Sequence, residues 1–564
     1  MLDSILKLPR SYLLIGLLAL GSIQVACTPQ APEGQATLVI SGARVWTGNP
    51  AQPWAEAVAA QGDRILAVGS TEQVMRLVGT KTRIIQANGG MLVPGFIDAH
   101  VHFTSGGAGL ASVQLRDAAT REEFVQRIAE YAASLEPGEW IIEGTWDHQN
   151  WGGELPTREW IDDVTPNNPV WISRLDGHMG LANTLAMQLA AVDGDTQDME
   201  GGTVVRGSDG ELTGVFKDNA MELISKAIPA PSPAQLDRIV DAASNFVASK
   251  GVTSVHDMSY VGLPEVEAYR RARDSGRLKT RIYGVIPLAS WRVLQEELAR
   301  NGPGDEWVRI GGLKGFMDGS LGSHTAAMLE VFTDSPEDKG FMLQDPAVME
   351  TLVSDADAAG LHLMVHAIGD SAIRTLLDIY QRVAAENGPR DRRFRVEHAQ
   401  HIHPDDVSRF ASQGVIASMQ PYHAIDDGRW AEKVIGPERS KTTYAFDSLI
   451  HSGARVVFGS DWSVAPPTPL EGIYAALTRR TLDGANPDGW VPEQKITLEE
   501  ALKAYTVNAA YASYEEGIKG SLEVGKLADF VLLDKDLSAI LPGDIASVQV
   551  LETVVGGQLV FSAT

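Results

Sequence analysis

Cysteine is nearly missing: the 564 residues contain one, Cys27. No intramolecular disulfide can form, so the fold must rest on packing and hydrogen bonding. Positive charge is also scarce. Lys and Arg total 47 against 73 Asp and Glu, a formal net charge of -26. Such a surface repels phosphate backbones, which excludes nucleic acid as a partner. Internal repeats and low-complexity tracts are absent, which sets aside solenoid architectures. What remains is ordinary globular material: 44% hydrophobic and 21% charged residues, enough for a large core. The length predicts two or three domains.

The first 27 residues read MLDSILKLPRSYLLIGLLALGSIQVAC. Lys7 and Arg10 precede an apolar run from Leu13 to about Leu20, the layout of a secretory signal rather than a membrane span. Ala26-Cys27 resembles a bacterial lipoprotein cleavage site, although Gln24 stands where such sites carry Leu, Val or Ile. The expectation is an exported protein of the cell envelope, either periplasmic or anchored by lipid at Cys27. A plain signal peptide with an incidental Cys is the alternative. Residues 28–37 read as a linker, rich in Pro, Gly and polar residues.

Short strand-like segments follow in 38–91 and return in 520–564. Neither has enough strands to stand alone, so the two ends are expected to pair in a β-sandwich. From Leu92 the pattern changes. Eight short apolar runs recur: 92–102, 251–257, 281–286, 311–319, 361–370, 393–400, 415–421 and 455–462. Amphipathic segments fill most of the gaps after the second. This predicts an α/β fold, a distorted (β/α)₈ TIM barrel over 92–519. Residues 103–250 are too many for one crossover helix and read as an α/β insertion after the first barrel strand. A helix is expected at 121–134, strands at 140–146 and 169–175, and a further helix near 181–189.

Polar residues at the strand C-termini gather at one mouth of such a barrel. His100 and His102, two apart at a strand end, share a face and can reach one ion. His366, His398 and Asp461 close the fifth, sixth and eighth runs. Imidazoles and a carboxylate at one mouth point to a divalent metal, with zinc favoured by the imidazole-rich set. Lys314 sits inside a buried run, where a charge is costly unless paired or neutralised. Two readings stay open for it: a neutral amine that takes up CO₂ as a carbamate, or an ammonium paired with Asp318.

PGFIDAHVH, HAIGD, RVEHAQ, GSDW and the closing GSLEVGKLADFVLLD together resemble the amidohydrolase superfamily, in the branch that contains N-substituted formamide deformylase. DGSLGSHTAAM (318–328) and LDGHMGLANTLAM (175–187) are further marks of that branch. The resemblance covers nearly the whole chain after the linker. It implies one or two divalent ions. His100, His102 and Asp461 would hold the first, His366 and His398 the second, and a carboxylated Lys314 would bridge them. His324 departs from the pattern, standing where relatives often carry Arg.

The expected reaction is hydrolysis of a carbon–nitrogen bond (amide, formamide or cyclic amide) in a small molecule. Asp461 would serve as general base, and a neighbouring imidazole, His398, would help to polarise the carbonyl. Trp146, Trp151, Arg174, Asp176, His178, His324 and His423 are candidate substrate contacts, and His256 and Asp257 are expected at the same mouth. Ester or lactone hydrolysis and deamination are the alternatives on this scaffold; a non-catalytic envelope binding protein is the remaining class. The partner is a small molecule, with the membrane reached only through Cys27. A homodimer is allowed but not required.

Overall fold

The structure is a computed structural model and describes residues 34–174, 179–199, 202–258, 262–322 and 324–563. The signal-like segment with Cys27, most of the linker, and Asp176 and His178 lie outside the described residues. Among the described residues, no helix is long and apolar enough to cross a membrane.

The chain opens with β1 (Ala36–Trp46), β2 (Trp54–Gln61), β3 (Arg64–Gly69), β4 (Val78–Gln86) and β5 (Met91–Pro94). It closes with three strands, Phe530–Leu533, Val550–Val555 and Gln558–Ser562. All eight belong to one sheet. β5 pairs antiparallel with Phe530–Leu533, in the register Leu92↔Leu532. Both chain ends therefore build one unit around Leu38, Ile40, Val58, Leu92, Phe530 and Leu532. The change of sheet falls at Gly95, three residues later than the barrel start placed at Leu92. A Cβ there would lie 2.1 Å from Thr253 Oγ1, so only glycine lets the chain cross so close to the barrel.

β6 (Phe96–Val101) begins the barrel. The insertion follows, with β7 (Ile141–Trp146), β8 (Val170–Arg174), β9 (Met179–Ala182), β10 (Gly202–Arg206) and β11 (Leu212–Asp218). They form a separate five-stranded sheet in the order β10-β11-β9-β8-β7. The expected helices lie at Arg121–Ala132 and Thr184–Leu189.

The barrel resumes with β12 (Val252–Asp257), β13 (Arg281–Pro287), β14 (Val308–Phe316), β15 (His362–Ala367), β16 (Arg395–His398), β17 (Ile416–Met419) and β18 (Val456–Phe458). With β6 these are eight parallel strands in chain order. Every β12 and β15 residue is buried, as expected of strands covered on both faces. Helices follow several strands. Asp370–Glu386 buries Ile373, Leu376, Leu377, Tyr380 and Val383, the 3-and-4 spacing of one helical face. Ser232 caps the helix Pro233–Ser249 with a capping box and proline in its first turn.

Closure sets the site. A parallel bridge joins Val101 to Trp462, and the Asp461 amide donates to the His100 carbonyl at 2.7 Å. Gly459 makes this approach possible: a Cβ there would lie 2.5 Å from the His100 nitrogen. The first and last strand ends thus bring His100 and Asp461 side by side.

Candidate metal centre

His100 is fully buried at the end of β6. Its Nδ1 donates to Glu397 Oε2 at 2.6 Å, so Nε2 carries the lone pair and faces into the mouth. Glu397 is itself held by Arg395, with Nε at 2.7 Å from Oε1. Burial opposes its charge, yet Arg395 and then His100 keep this carboxyl well below the usual carboxylate range. Two further imidazoles are oriented in the same way. His398 Nδ1 lies 2.9 Å from Gln420 Oε1, and His366 Nε2 lies 2.9 Å from the Gly319 carbonyl. One ring nitrogen of each donates, which leaves the other as an electron-pair donor.

Strand alternation alone would not bring His398 here. Arg395 and Glu397 share the inner face of β16, so their neighbour His398 should turn away. Its left-handed backbone, φ 72°, redirects the side chain into the mouth, and Asp461 has φ 60°. Such conformations are strained for residues with a Cβ and are held by surrounding structure, as is common at functional sites.

The electron-pair donors converge. Asp461 Oδ1 lies 3.3 Å from His100 Nε2 and 3.0 Å from His102 Nε2. That oxygen is buried, and among the described residues it has no hydrogen-bond donor. His100 Nε2, an acceptor, faces this carboxylate oxygen at 3.3 Å, a repulsion that a bound cation would relieve. Ligand atoms of His100, His398 and Asp461 all lie within 4.8 Å of one another. The residues present therefore fit a divalent ion, with an N/N/O donor set typical of zinc or related metals. The grouping puts His398 with His100 and Asp461, whereas the resemblance assigned it with His366. The His366 and His398 rings remain neighbours, 4.5 Å between centroids.

Lys314 is 2% exposed, and its Nζ lies 3.3 Å from His100 Nε2. Burial pulls its ammonium down to about 8. Asp318 is not its partner. That carboxylate instead accepts backbone N–H groups from Ala327, Ile368 and Gly369 at 2.8–2.9 Å.

A cavity of about 440 Å³ opens over the centre, bordered by His102, Lys314, His366, His398 and Asp461. Phe316, Leu321, Ile368 and Trp430 give it apolar walls, and His423 stands among them. Four expected substrate contacts fall elsewhere. Trp146 is fully buried, donates its indole N–H to the Ile172 carbonyl, and packs in the insertion's own core. Arg174 contacts Asp147 and His148. His324 faces Asp334 at 3.0 Å and meets the Phe332 ring edge-on. Trp151 packs on Phe124 and Trp160. His256 and Asp257 also depart from expectation. Alternation turns His256 inward, 2.9 Å from Arg395, and turns Asp257 outward to Tyr269 and the Phe103 amide. The Arg395–Glu397 support escaped the sequence reading, although R-V-E alternation put both residues on one face.

A closed parallel barrel with imidazoles and a carboxylate at its C-terminal mouth is the arrangement of a metal-centred barrel enzyme. The model of the amidohydrolase family matches residues 83–561, and the chain belongs to that family. It is 38% identical to the protein LONG AFTER FAR-RED 3 of Arabidopsis thaliana, over 93% of this chain and 92% of that protein. It is 28% identical to an N-substituted formamide deformylase of Arthrobacter pascens, over 93% and 98%. The structure resembles that of an uncharacterized metal-dependent hydrolase from Pyrococcus furiosus. The TM-score is 0.75 at 26% identity, covering 90% of this chain and 99% of that one.

Proposed function

We propose that this chain is a metal-dependent hydrolase that cleaves a carbon–nitrogen bond of amide, formamide or cyclic-amide type in a small molecule. The observation that carries the reading is the buried, donor-less Asp461 Oδ1 facing the imidazoles of His100 and His102. The formamide deformylase name of the Arthrobacter relative supports the choice of bond.

His100, His102, His366, His398 and Asp461 would hold one or two divalent ions, zinc by donor chemistry. With two ions, a carboxylated Lys314 would be a further ligand. A divalent ion held there supplies Lewis acidity, easing deprotonation of water and polarising a carbonyl. Asp461 takes the proton from the attacking water as its oxygen bonds to the carbonyl carbon. The carbon–nitrogen bond then breaks, and Asp461 returns the proton to the leaving nitrogen. The signal-like order of residues 1–27 supports export to the envelope with lipid on Cys27, which intact mass of the exported protein would read.

The test is turnover of a panel of formamides, acyl-amino acids, cyclic imides and lactones by wild type and Asp461→Asn, with metal content and native mass measured on the same samples. The expected result is C–N cleavage by the wild type and none by a folded variant. Near-normal activity of Asp461→Asn would remove the general base from the mechanism. Cleavage of lactones alone would replace amide by ester chemistry.

A further inference from the structure

The two oxygens of Asp461 face different neighbours. Oδ1 meets His100 and His102, while Oδ2 lies 4.0 Å from His423 Nε2. His423 sits two residues after the Pro421 that starts the helix Pro421–Asp427, directly beyond β17. The residue borders the cavity, and its Nε2 is buried with no hydrogen-bond partner among the described residues. His100, His366 and His398 differ: each has one nitrogen tied to a protein group. A buried imidazole nitrogen left unpaired is costly, and a site that leaves one open is built to receive a partner.

The separation from Asp461 indicates which partner. At 4.0 Å the two groups are too far apart to bond each other. A single atom between them can still lie about 2.8 Å from both. Resting on the hydrolytic reading above, we propose that this atom is the leaving nitrogen, and that His423 Nε2 accepts the N–H it already carries. The site is then specific for secondary amides, against tertiary amides and esters.

The atoms balance. Water oxygen bonds to the carbonyl carbon and gives one proton to Asp461. The C–N bond breaks with its electron pair kept on nitrogen. Asp461 Oδ2 gives the proton to that pair. The N–H held by His423 stays on nitrogen throughout, and its direction aims the new lone pair at Asp461. The products are a carboxylic acid and a primary amine.

The test crosses the residue with the substrate N–H. N-butylformamide, N-butyl-N-methylformamide and butyl formate are compared in the metal-loaded wild type, His423→Ala and His423→Asn. Metal content and unfolding midpoint confirm that each variant is intact. In the wild type, replacing N–H by N-methyl is expected to lower kcat/KM roughly 10- to 100-fold. In His423→Ala the gap closes to within about threefold, and the formate ester gains relative to the secondary amide. Asn, whose side-chain oxygen can accept the same N–H, keeps a gap of intermediate size. An N-methyl gap equally large in wild type and His423→Ala overturns the role of His423 and leaves the hydrolase reading standing. Cleavage of the ester alone, or of none of the three, overturns the C–N reading and this inference with it.

Discussion

The buried pair beneath the metal centre offers a sharp quantitative test. Arg395 and Glu397 are both fully buried, joined at 2.7 and 3.1 Å. Arg395 also donates to the Ala99 carbonyl at 2.7 Å and Ser418 Oγ at 2.9 Å. Arg395→Met strands the Glu397 charge and removes donors from these acceptors. Breaking a buried pair from one side costs about 3–5 kcal/mol, and the stranded acceptors bring the expected loss to about 4–7 kcal/mol. Glu397→Leu should cost a similar amount, for the mirrored reason. The double variant removes both charges, so its loss should fall short of the summed singles by at least about 2 kcal/mol. Urea unfolding of metal-stripped protein reads these values without the contribution of ion binding. Glu397→Gln adds a second measurement. It keeps an acceptor for His100 but loses the charge, and metal affinity by chelator competition should fall about 10- to 100-fold. Single losses that add within about 0.5 kcal/mol would refute the coupling, and unchanged affinity would refute the support of His100.

Trp146→Ala should destabilise the insertion by about 3–5 kcal/mol, read as lost amide protection in β7 and β8 with the barrel unaffected; a raised KM with normal protection would return Trp146 to the substrate site. Acid should weaken the fold through His362 and His401. Burial pulls both imidazoles down to about 3 from an ordinary 6.5. His362 is bonded as a neutral ring, to Tyr283 through Nδ1 and to the Arg393 carbonyl through Nε2. Below pH 6.5 each of these two imidazoles takes up a proton in the unfolded chain that the fold refuses, as do the buried His256, His366 and His398. The share of His362 and His401 is full above that pH and should fall by about 2.7 kcal/mol per unit as pH drops toward 3. Urea midpoints at pH 6.5 and 5 test this, and His362→Gln should lower the slope by about 1.4 kcal/mol per unit; equal midpoints would sink it.

The barrel was legible because each of its strands is a short apolar run, several of them ending in polar residues, and all eight runs lie in one parallel sheet. The amidohydrolase motifs were legible for the same reason: the donors cluster at strand ends. The insertion was less so. β9 has four residues and β10 five, and glycine-flanked GTVVR gives little periodicity to read. Side-chain direction was harder still. Alternation sends His256 down into the barrel and Asp257 out, where the sequence reading had placed both at the mouth. Left-handed backbone at His398 and Asp461 breaks that same alternation where it matters most. Trp146 looked like a mouth residue because it ends a strand, but that strand belongs to the insertion's sheet.

The shared end sheet has a consequence in time. Pro94 of β5 pairs with Phe530, 436 residues later (530 minus 94). At about 5–20 residues per second, the ribosome needs roughly 20–90 s to deliver that partner. Until then the early strands present an open edge of unpaired amides and carbonyls, a template for any other strand that meets it. The barrel can complete its ring before the sheet that flanks it, so the last strands to emerge decide when the whole chain becomes safe from wrong pairing.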